Sequence, residues 1–156
     1  MPVSAVWNKL NLKDHADIVV LDAPESFVPA LEGLDGVTVR RKLAGGRPVE
    51  FALAFVTTQA GVDATAAALA PRANGDAVLW FAYPKATSKR YTSGLRRETP
   101  WQALGAAGFE GVRMVAIDED WTAVRFRRAE YIKTLTRPRE WAMSARGKAR
   151  TAPKRT

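Results

Sequence analysis

The segment that most constrains the fold of this chain is residues 76–84, an almost wholly apolar run between Asp76 and Pro84. Such a run predicts a strand buried on both faces, and strands of this kind belong to sheets that helices cover on both sides. The polar segment 85–97 follows at once and holds five cations and no acid. Ligands of open α/β sheets bind beyond the carboxyl ends of the strands, so this loop is the first candidate site.

The other elements alternate as expected of an α/β domain. Apolar runs bounded by turn residues predict six strands, at residues 16–22, 37–43, 49–56, 76–83, 111–117 and 121–128. Capping residues and apolar spacing predict helices at residues 5–12, 26–34, 57–69 and 99–107. Only three residues join the last two strands, which must therefore be antiparallel. The pattern predicts a Rossmann-like, doubly wound, mainly parallel six-stranded sheet with a C-terminal antiparallel strand.

Length and composition favour a single globular domain. The chain has 156 residues, of which 47% are hydrophobic, and no apolar run is long enough to cross a membrane. There is no cysteine and a single histidine, His15, so neither a thiolate nor a histidine metal site is expected. Nothing at the N-terminus resembles a signal peptide, and we expect a cytoplasmic protein.

The positive charge lies at the C-terminus. Residues 125–156 hold eleven cations and two acids, whereas residues 1–124 hold thirteen cations and fourteen acids. We expect residues 1–128 to form the domain, residues 129–146 a docked helical extension, and residues 147–156 a basic disordered tail. The basic tail is either a solvated segment or an accessory contact with a nucleic acid or another polyanion.

The end of the first strand is a second candidate site, but it does not suit a dinucleotide or S-adenosylmethionine in the usual way. Those cofactors need glycines after the first strand and an acid at the end of the second. Here Asp22 is followed by Ala23 and Pro24, and the second strand ends in three cations, at 40–42. Asp22 either hydrogen-bonds a ribose or an amine, or caps the following turn, which is the commoner role.

The loop after the fourth strand combines cations with hydroxyl groups. Ammonium, guanidinium and hydroxyl groups bind phosphate or carboxylate oxygens, and the N-terminus of the next helix also favours anions. The alternative is a solvated surface loop. With the two carboxylates nearest to the loop, the candidate ligand-binding residues are Lys85, Thr87, Ser88, Lys89, Arg90, Arg96, Arg97, Asp22 and Asp118. The acidic turn Asp118 to Asp120 either pairs with Lys85 or is simply a capped hairpin turn, and no metal site is expected there.

Several short segments resemble an uncharacterised bacterial family, the domain of unknown function thirty-fifty-two. They are the segments 9–13, 20–27, 55–57, 79–85 and 116–121, among them Leu-Trp-Phe-Ala-Tyr-Pro-Lys at 79–85. The resemblance covers about residues 5–128 and implies a small Rossmann-like fold. It implies no activity and no catalytic residue. By analogy with class I methyltransferases, to which such a fold is distantly similar, we expect the strand order 2-1-3-4-6-5.

Three functions remain open at this stage. The first is a non-enzymatic or degenerate binding domain for a small anionic or nucleotide-like ligand, held by Lys85 and the loop to Arg97. The second is a polyanion-binding accessory protein that contacts RNA, DNA or a ribosome through its basic tail. The third is a methyltransferase-like enzyme with an unusual cofactor site, which the missing glycine turn disfavours.

Overall fold

The computed structural model describes residues 3–12, 15–43, 48–95 and 101–132. The helices are α1 (Val3–Lys9), α2 (Val28–Glu32), α3 (Gln59–Leu69) and α4 (Gln102–Ala106). The strands are β1 (Asp17–Leu21), β2 (Thr38–Arg40), β3 (Val49–Phe55), β4 (Ala73–Pro84), β5 (Phe109–Ala116) and β6 (Trp121–Arg128). Short 3-10 turns cover Glu25–Phe27, Ala70–Arg72 and Ala129–Tyr131.

All six strands form one sheet in the order β2-β1-β3-β4-β6-β5, which confirms the predicted order. Strands β2, β1, β3 and β4 are parallel, and β6 lies antiparallel to both β4 and β5. The carboxyl ends of β1, β3 and β4 therefore share one edge of the sheet with the turn between β5 and β6. The sheet brings the loop after β4 close to Asp22 and to the acidic turn.

The sheet separates two apolar cores, one on each face. Phe81 packs with residues of α3 and α4 on one face, while Trp80 packs with residues of α1 and α2 on the other. Both side chains are fully buried, as the apolar run at 76–84 predicts. The indole N–H of Trp80 donates to the carbonyl of Leu10 at 2.7 Å, so burying the ring leaves no unpaired donor. Burial of each large apolar side chain contributes about 1.5–3 kcal/mol.

Two strands, β2 and β4, differ most from their predicted limits. β2 is an edge strand and has only three residues, Thr38–Arg40. Arg41 and Lys42, which were predicted to continue the strand, are exposed and lie outside it. β4 begins at Ala73, three residues before the predicted start. Asn74-Gly75 resembles a turn signal, but here Gly75 takes a φ of 56° inside the strand. The register of β3 against β4 shifts at this level.

The predicted C-terminal extension falls mostly outside the described residues. Its first part is the 3-10 turn Ala129–Tyr131, and Ile132 after it is buried. The predicted basic tail at 147–156 and the predicted helix start at Thr99 also lie outside the described residues. Within the described ranges, no helix has the length and apolar character needed to cross a membrane.

Candidate ligand site at the carboxyl edge

The loop after β4 begins with a turn that the acidic hairpin holds in place. The backbone N–H of Lys85 donates to the carbonyl of Asp120 at 2.8 Å, and that of Ser88 donates back to Lys85 at 3.0 Å. The Ser88 hydroxyl donates to the Asp120 carboxylate at 2.9 Å and accepts from the backbone N–H of Tyr91 at 3.1 Å. Asp120 is only 8% exposed, so these bonds satisfy a largely buried carboxylate. The loop is therefore shaped by specific contacts rather than being freely solvated.

The far end of the loop crosses to the junction of β3 and α3. Gly94 donates its backbone N–H to the carbonyl of Thr57 at 2.6 Å and forms a parallel bridge with Thr58. A Cβ atom at position 94 would lie 3.2 Å from the Thr57 oxygen, so glycine allows this close approach. Thr58 also caps α3, because its hydroxyl accepts from the backbone N–H of Gly61 at 3.0 Å. The loop thus spans the carboxyl ends of β3 and β4.

A cleft of about 490 Å³ opens along this loop. Its lining combines aromatic, hydroxyl and ammonium groups, supplied by Tyr83, Pro84, Lys85, Ala86, Ser88, Tyr91, Thr92, Ser93, Leu95 and Trp101. Lys85 is half-buried and forms no ion pair with a described residue. Burial raises the pKa of Tyr83, whose phenol is already neutral at physiological pH at its ordinary pKa and can donate a hydrogen bond. The volume and this mixed lining are typical of small-ligand sites.

A second cleft, of about 300 Å³, lies at the ends of β1 and β3. Its lining is Asp22, Phe55, Val56, Thr57, Thr58, Gly61, Thr65 and Trp121. Asp22 is exposed and has a φ of 56°, a left-handed conformation that is uncommon outside glycine. The 3-10 turn that follows begins at Glu25, and no side chain caps it at its N-cap residue, Pro24. The expectation that Asp22 caps this turn therefore finds no support in the hydrogen bonds of the described residues.

The two clefts share an aromatic wall. The ring of Trp121, in the smaller cleft, lies 4.9 Å from that of Tyr91, in the larger one, and 5.1 Å from that of Phe55. Trp121 is 3% exposed, and its indole N–H has no acceptor among the described residues. Buried donors without a partner are rare in folded proteins, so this N–H is a candidate ligand contact.

The structure divides the predicted site residues among several environments. Lys85 and Ser88 line the larger cleft, and Asp22 lines the smaller one. The other predicted loop residues that the structure describes are exposed and line neither cleft: Thr87, Lys89 and Arg90. Arg96 and Arg97 lie outside the described residues. The predicted loop therefore contributes one cation and a set of hydroxyl groups to the described cleft.

The acidic turn acts as a hairpin cap. The Asp118 carboxylate accepts from the backbone N–H groups of Asp120 at 2.8 Å and Trp121 at 2.9 Å. These bonds match the structural alternative for the turn, and Asp118 forms no ion pair with Lys85. Across the part of the chain that the structure describes, no group of three or more His, Cys, Asp or Glu residues is arranged to hold a metal.

Four aromatic residues that are not among the predicted site residues line one of the clefts: Tyr83, Tyr91, Trp101 and Trp121. The available signal was their position, because each lies near the end of a strand, in the loop or directly after it. The ring of Trp101 lies 5.7 Å from that of Tyr83 and 5.8 Å from that of Phe81. Trp101 therefore lines the cleft and also packs against the core.

Comparison with known proteins supports the fold. Protein-family models and curated proteins give no match to the chain. Solved structures do match, among them the N-methyltransferase NodS from Bradyrhizobium japonicum WM9, with a TM-score of 0.51 and 13% identity over 81% of this chain and 93% of that chain. A SAM-dependent methyltransferase from Aquifex aeolicus has a TM-score of 0.50 and 16% identity over 81% of this chain and 89% of its own.

These likenesses extend over most of both chains at low sequence identity, so they concern the fold. The resemblance to the uncharacterised bacterial family remains a prediction. The chain has a Rossmann-like fold similar to that of class I methyltransferases.

Proposed function

We propose that this chain is a binding domain for a small nucleotide-like ligand, which has a planar ring and an anionic group. The observation that carries the proposal is the larger cleft, where Lys85, which has no ion pair with a described residue, lines the same space as Tyr83, Tyr91 and Trp101. An ammonium binds a phosphate through a charge-assisted hydrogen bond, and aromatic side chains stack on a planar ring. Ser88 and Ser93 add hydroxyl groups for the remaining oxygens.

The smaller cleft suits the uncharged part of the same ligand. Asp22 is an acceptor for sugar hydroxyl or amino groups, and the indole N–H of Trp121, which has no acceptor among the described residues, is a donor for a ring nitrogen or a carbonyl. Because the Tyr91–Trp121 pair borders both clefts, a ligand that crosses it would contact both sets of groups.

Methyl transfer from S-adenosylmethionine is the second candidate, and the likeness to methyltransferases favours it. The residues at the end of β1 do not fit that cofactor in its usual position. Ala23 and Pro24 add side chains where glycines would let the backbone approach, and Pro24 has no N–H to offer. β2 ends in Arg40, whose guanidinium bonds the Asp17 carboxylate at 2.8 Å, and no acid follows it. We therefore rank this candidate below simple ligand binding.

Thermal unfolding and calorimetry with three probes separate the two candidates. Adenosine monophosphate, inorganic phosphate and S-adenosylmethionine are compared at equal concentrations. We expect adenosine monophosphate to raise the stability by about 2.7 kcal/mol at 100 times its dissociation constant. Inorganic phosphate alone should have a smaller effect, because it lacks the ring. A micromolar dissociation constant for S-adenosylmethionine, with no response to adenosine monophosphate, would favour methyl transfer and contradict the first candidate.

A further inference from the structure

Three arginines form a row on one face of the sheet, away from both clefts. Arg113 of β5 lies directly opposite Arg125 of β6, and Arg127 follows two residues later on the same strand. Partners in an antiparallel pair, and residues two apart on one strand, share a face, so the three side chains project from the same side. We call Arg113, Arg125 and Arg127 the arginine row.

The face of the row follows from the register with β4. Arg125 pairs with Trp80, whose side chain belongs to the core covered by α1 and α2. The arginine row therefore lies on that face of the sheet and runs from the level of Trp80 to that of Asp76 in β4. Lys85 and the two clefts are at the opposite end of β4, so a ligand of the row is independent of a ligand of the clefts.

The carboxylates near the row lie at its Arg127 end. Arg127 forms a two-point ion pair with Asp76, with its Nε 2.8 Å and its Nη2 2.7 Å from the two carboxylate oxygens. The buried Glu110 also lies opposite Arg127 in the sheet register. Neither Arg113 nor Arg125 forms an ion pair with a described residue.

Arg125 has a buried hydrogen-bond donor, its Nε, that lacks an acceptor among the described residues. Burial lowers the pKa of Arg125, and the positive charges of Arg127 and Arg113 lower it further, although Asp76 opposes them. A guanidinium stays charged in proteins, so like charges directly opposite each other destabilise the sheet unless an anion joins them.

The rest of the chain offers few counter-charges. Outside the described residues the sequence has only three acids, Asp14, Glu98 and Glu140. Residues 133–156 contain eight cations and one acid, and they follow directly after the end of β6 and its 3-10 turn. The row and this cationic segment are thus adjacent in the chain and have the same sign of charge.

We infer that the arginine row binds the phosphate groups of a nucleic-acid strand. Guanidinium groups suit this ligand because their planar donors match phosphate oxygens in two-point hydrogen bonds. Arg113 and Arg125 have no ion pair with a described residue and can bind successive phosphates of one nucleic-acid strand, while Arg127 beside them is held by Asp76. The row is fixed in the sheet, so it would set the position of the bound nucleic-acid strand.

Fluorescence anisotropy of a labelled single-stranded oligonucleotide, measured with the full chain between 50 and 200 mM salt, tests this inference. The double variant Arg113→Gln with Arg125→Gln should bind at least about tenfold more weakly. Its plot of log affinity against log salt should be shallower by about 1.4, because each phosphate contact contributes about 0.7 on single strands. Arg113→Gln alone, at an exposed position, keeps the test valid if the double variant unfolds.

The matched control is Arg41→Ala with Lys42→Ala, which removes two exposed cations beyond β2, at the opposite edge of the sheet. We expect this control to keep the affinity and the salt slope of the parent protein. Equal losses in both double variants would show a non-specific charge effect and overturn the inference. It would also be overturned if the full chain bound no oligonucleotide at 50 mM salt, or if inorganic phosphate stabilised the protein through the row while the oligonucleotide did not bind.

Discussion

The contacts of Asp120 hold the backbone of Lys85 but not its side-chain ammonium. The carbonyl and the carboxylate of Asp120 hold the backbone of Lys85 and the hydroxyl of Ser88. The ammonium of Lys85 has no carboxylate partner among the described residues. The backbone at position 85 is thus fixed by bonds that any side chain would leave intact, and the side chain is available to a ligand.

Replacement of Lys85 by alanine should weaken ligand binding without unfolding the protein. Surface changes of this kind alter stability by less than about 0.5 kcal/mol, whereas loss of a charge-assisted hydrogen bond costs about 1.5–3 kcal/mol of binding. We expect the affinity for adenosine monophosphate, measured by calorimetry, to fall about tenfold or more. Lys89→Ala is the control, because Lys89 is exposed and lines neither cleft.

The opposite result for Lys85→Ala would be equally clear. A lower unfolding midpoint with unchanged affinity would make Lys85 a structural residue. The larger cleft would then lose its main support as an anion site.

Tyr83 should make the stability of the protein fall at alkaline pH. Burial raises its pKa above the ordinary value of 10, so above pH 10 the unfolded chain releases a proton that the folded chain keeps. The folded state then binds more protons, and the free energy of unfolding decreases as the pH rises through 10 and beyond. Urea unfolding of the parent and of Tyr83→Phe at pH 8 and pH 11 measures this contribution.

We expect the loss between those two pH values to be smaller for Tyr83→Phe than for the parent. Other groups titrate in the same range in both proteins, so the difference between the two losses isolates Tyr83. Equal losses would show that burial does not control this phenol.

The sequence predicts the strands well, but not all of their ends. Apolar runs were sufficient to find the six strands, because a buried sheet needs such runs, and the short connection makes β5 and β6 antiparallel. The strand order came from the analogy with class I methyltransferases. The end of β2 and the start of β4 were wrong by a few residues. Both depend on whether a neighbouring strand is present, which local sequence does not reveal.

The site was predictable only in outline. The position of the loop followed from the carboxyl-end rule, and Lys85 and Ser88 do line the cleft. The bonds that fold the loop back, from Gly94 to Thr57 and from Ser88 to Asp120, connect residues more than thirty positions apart. Long-range bonds of this kind leave no local pattern in a single sequence. The indole N–H of Trp121, which lacks an acceptor among the residues with described structure, is equally unpredictable from the sequence.

The cap of α3 offers a test at the level of one helix. The Thr58 hydroxyl accepts from the backbone N–H of Gly61, so Thr58→Ala should reduce the free energy of unfolding by about 1 kcal/mol. Thr57→Ala is the matched control, because Thr57 is exposed and only its backbone carbonyl is seen to bond the loop. If urea unfolding gave equal midpoints for the two variants, the cap would make no net contribution.

At the level of the whole molecule, we expect the fold to be independent of the last residues of the chain. Cutting after Met143 removes thirteen residues, including five cations and no acid, and all of them are charged or small. The thermal midpoint should therefore change little, while affinity for the labelled oligonucleotide and its salt slope should both decrease. A midpoint lower by many degrees would show that these residues are structural, and an unchanged slope would exclude them from the contact.

The position of β6 has a consequence for how the chain is made. β6 is the last of the described strands to leave the ribosome, yet it lies between β4 and β5. Until Trp121 to Arg128 emerge, β4 has one unpaired edge and β5 has no neighbour in the sheet. Unpaired apolar edges promote aggregation of nascent and incomplete chains. Synthesis that stops before Trp121 should therefore yield insoluble products, whereas a chain complete to Ile132 contains all six described strands of the sheet.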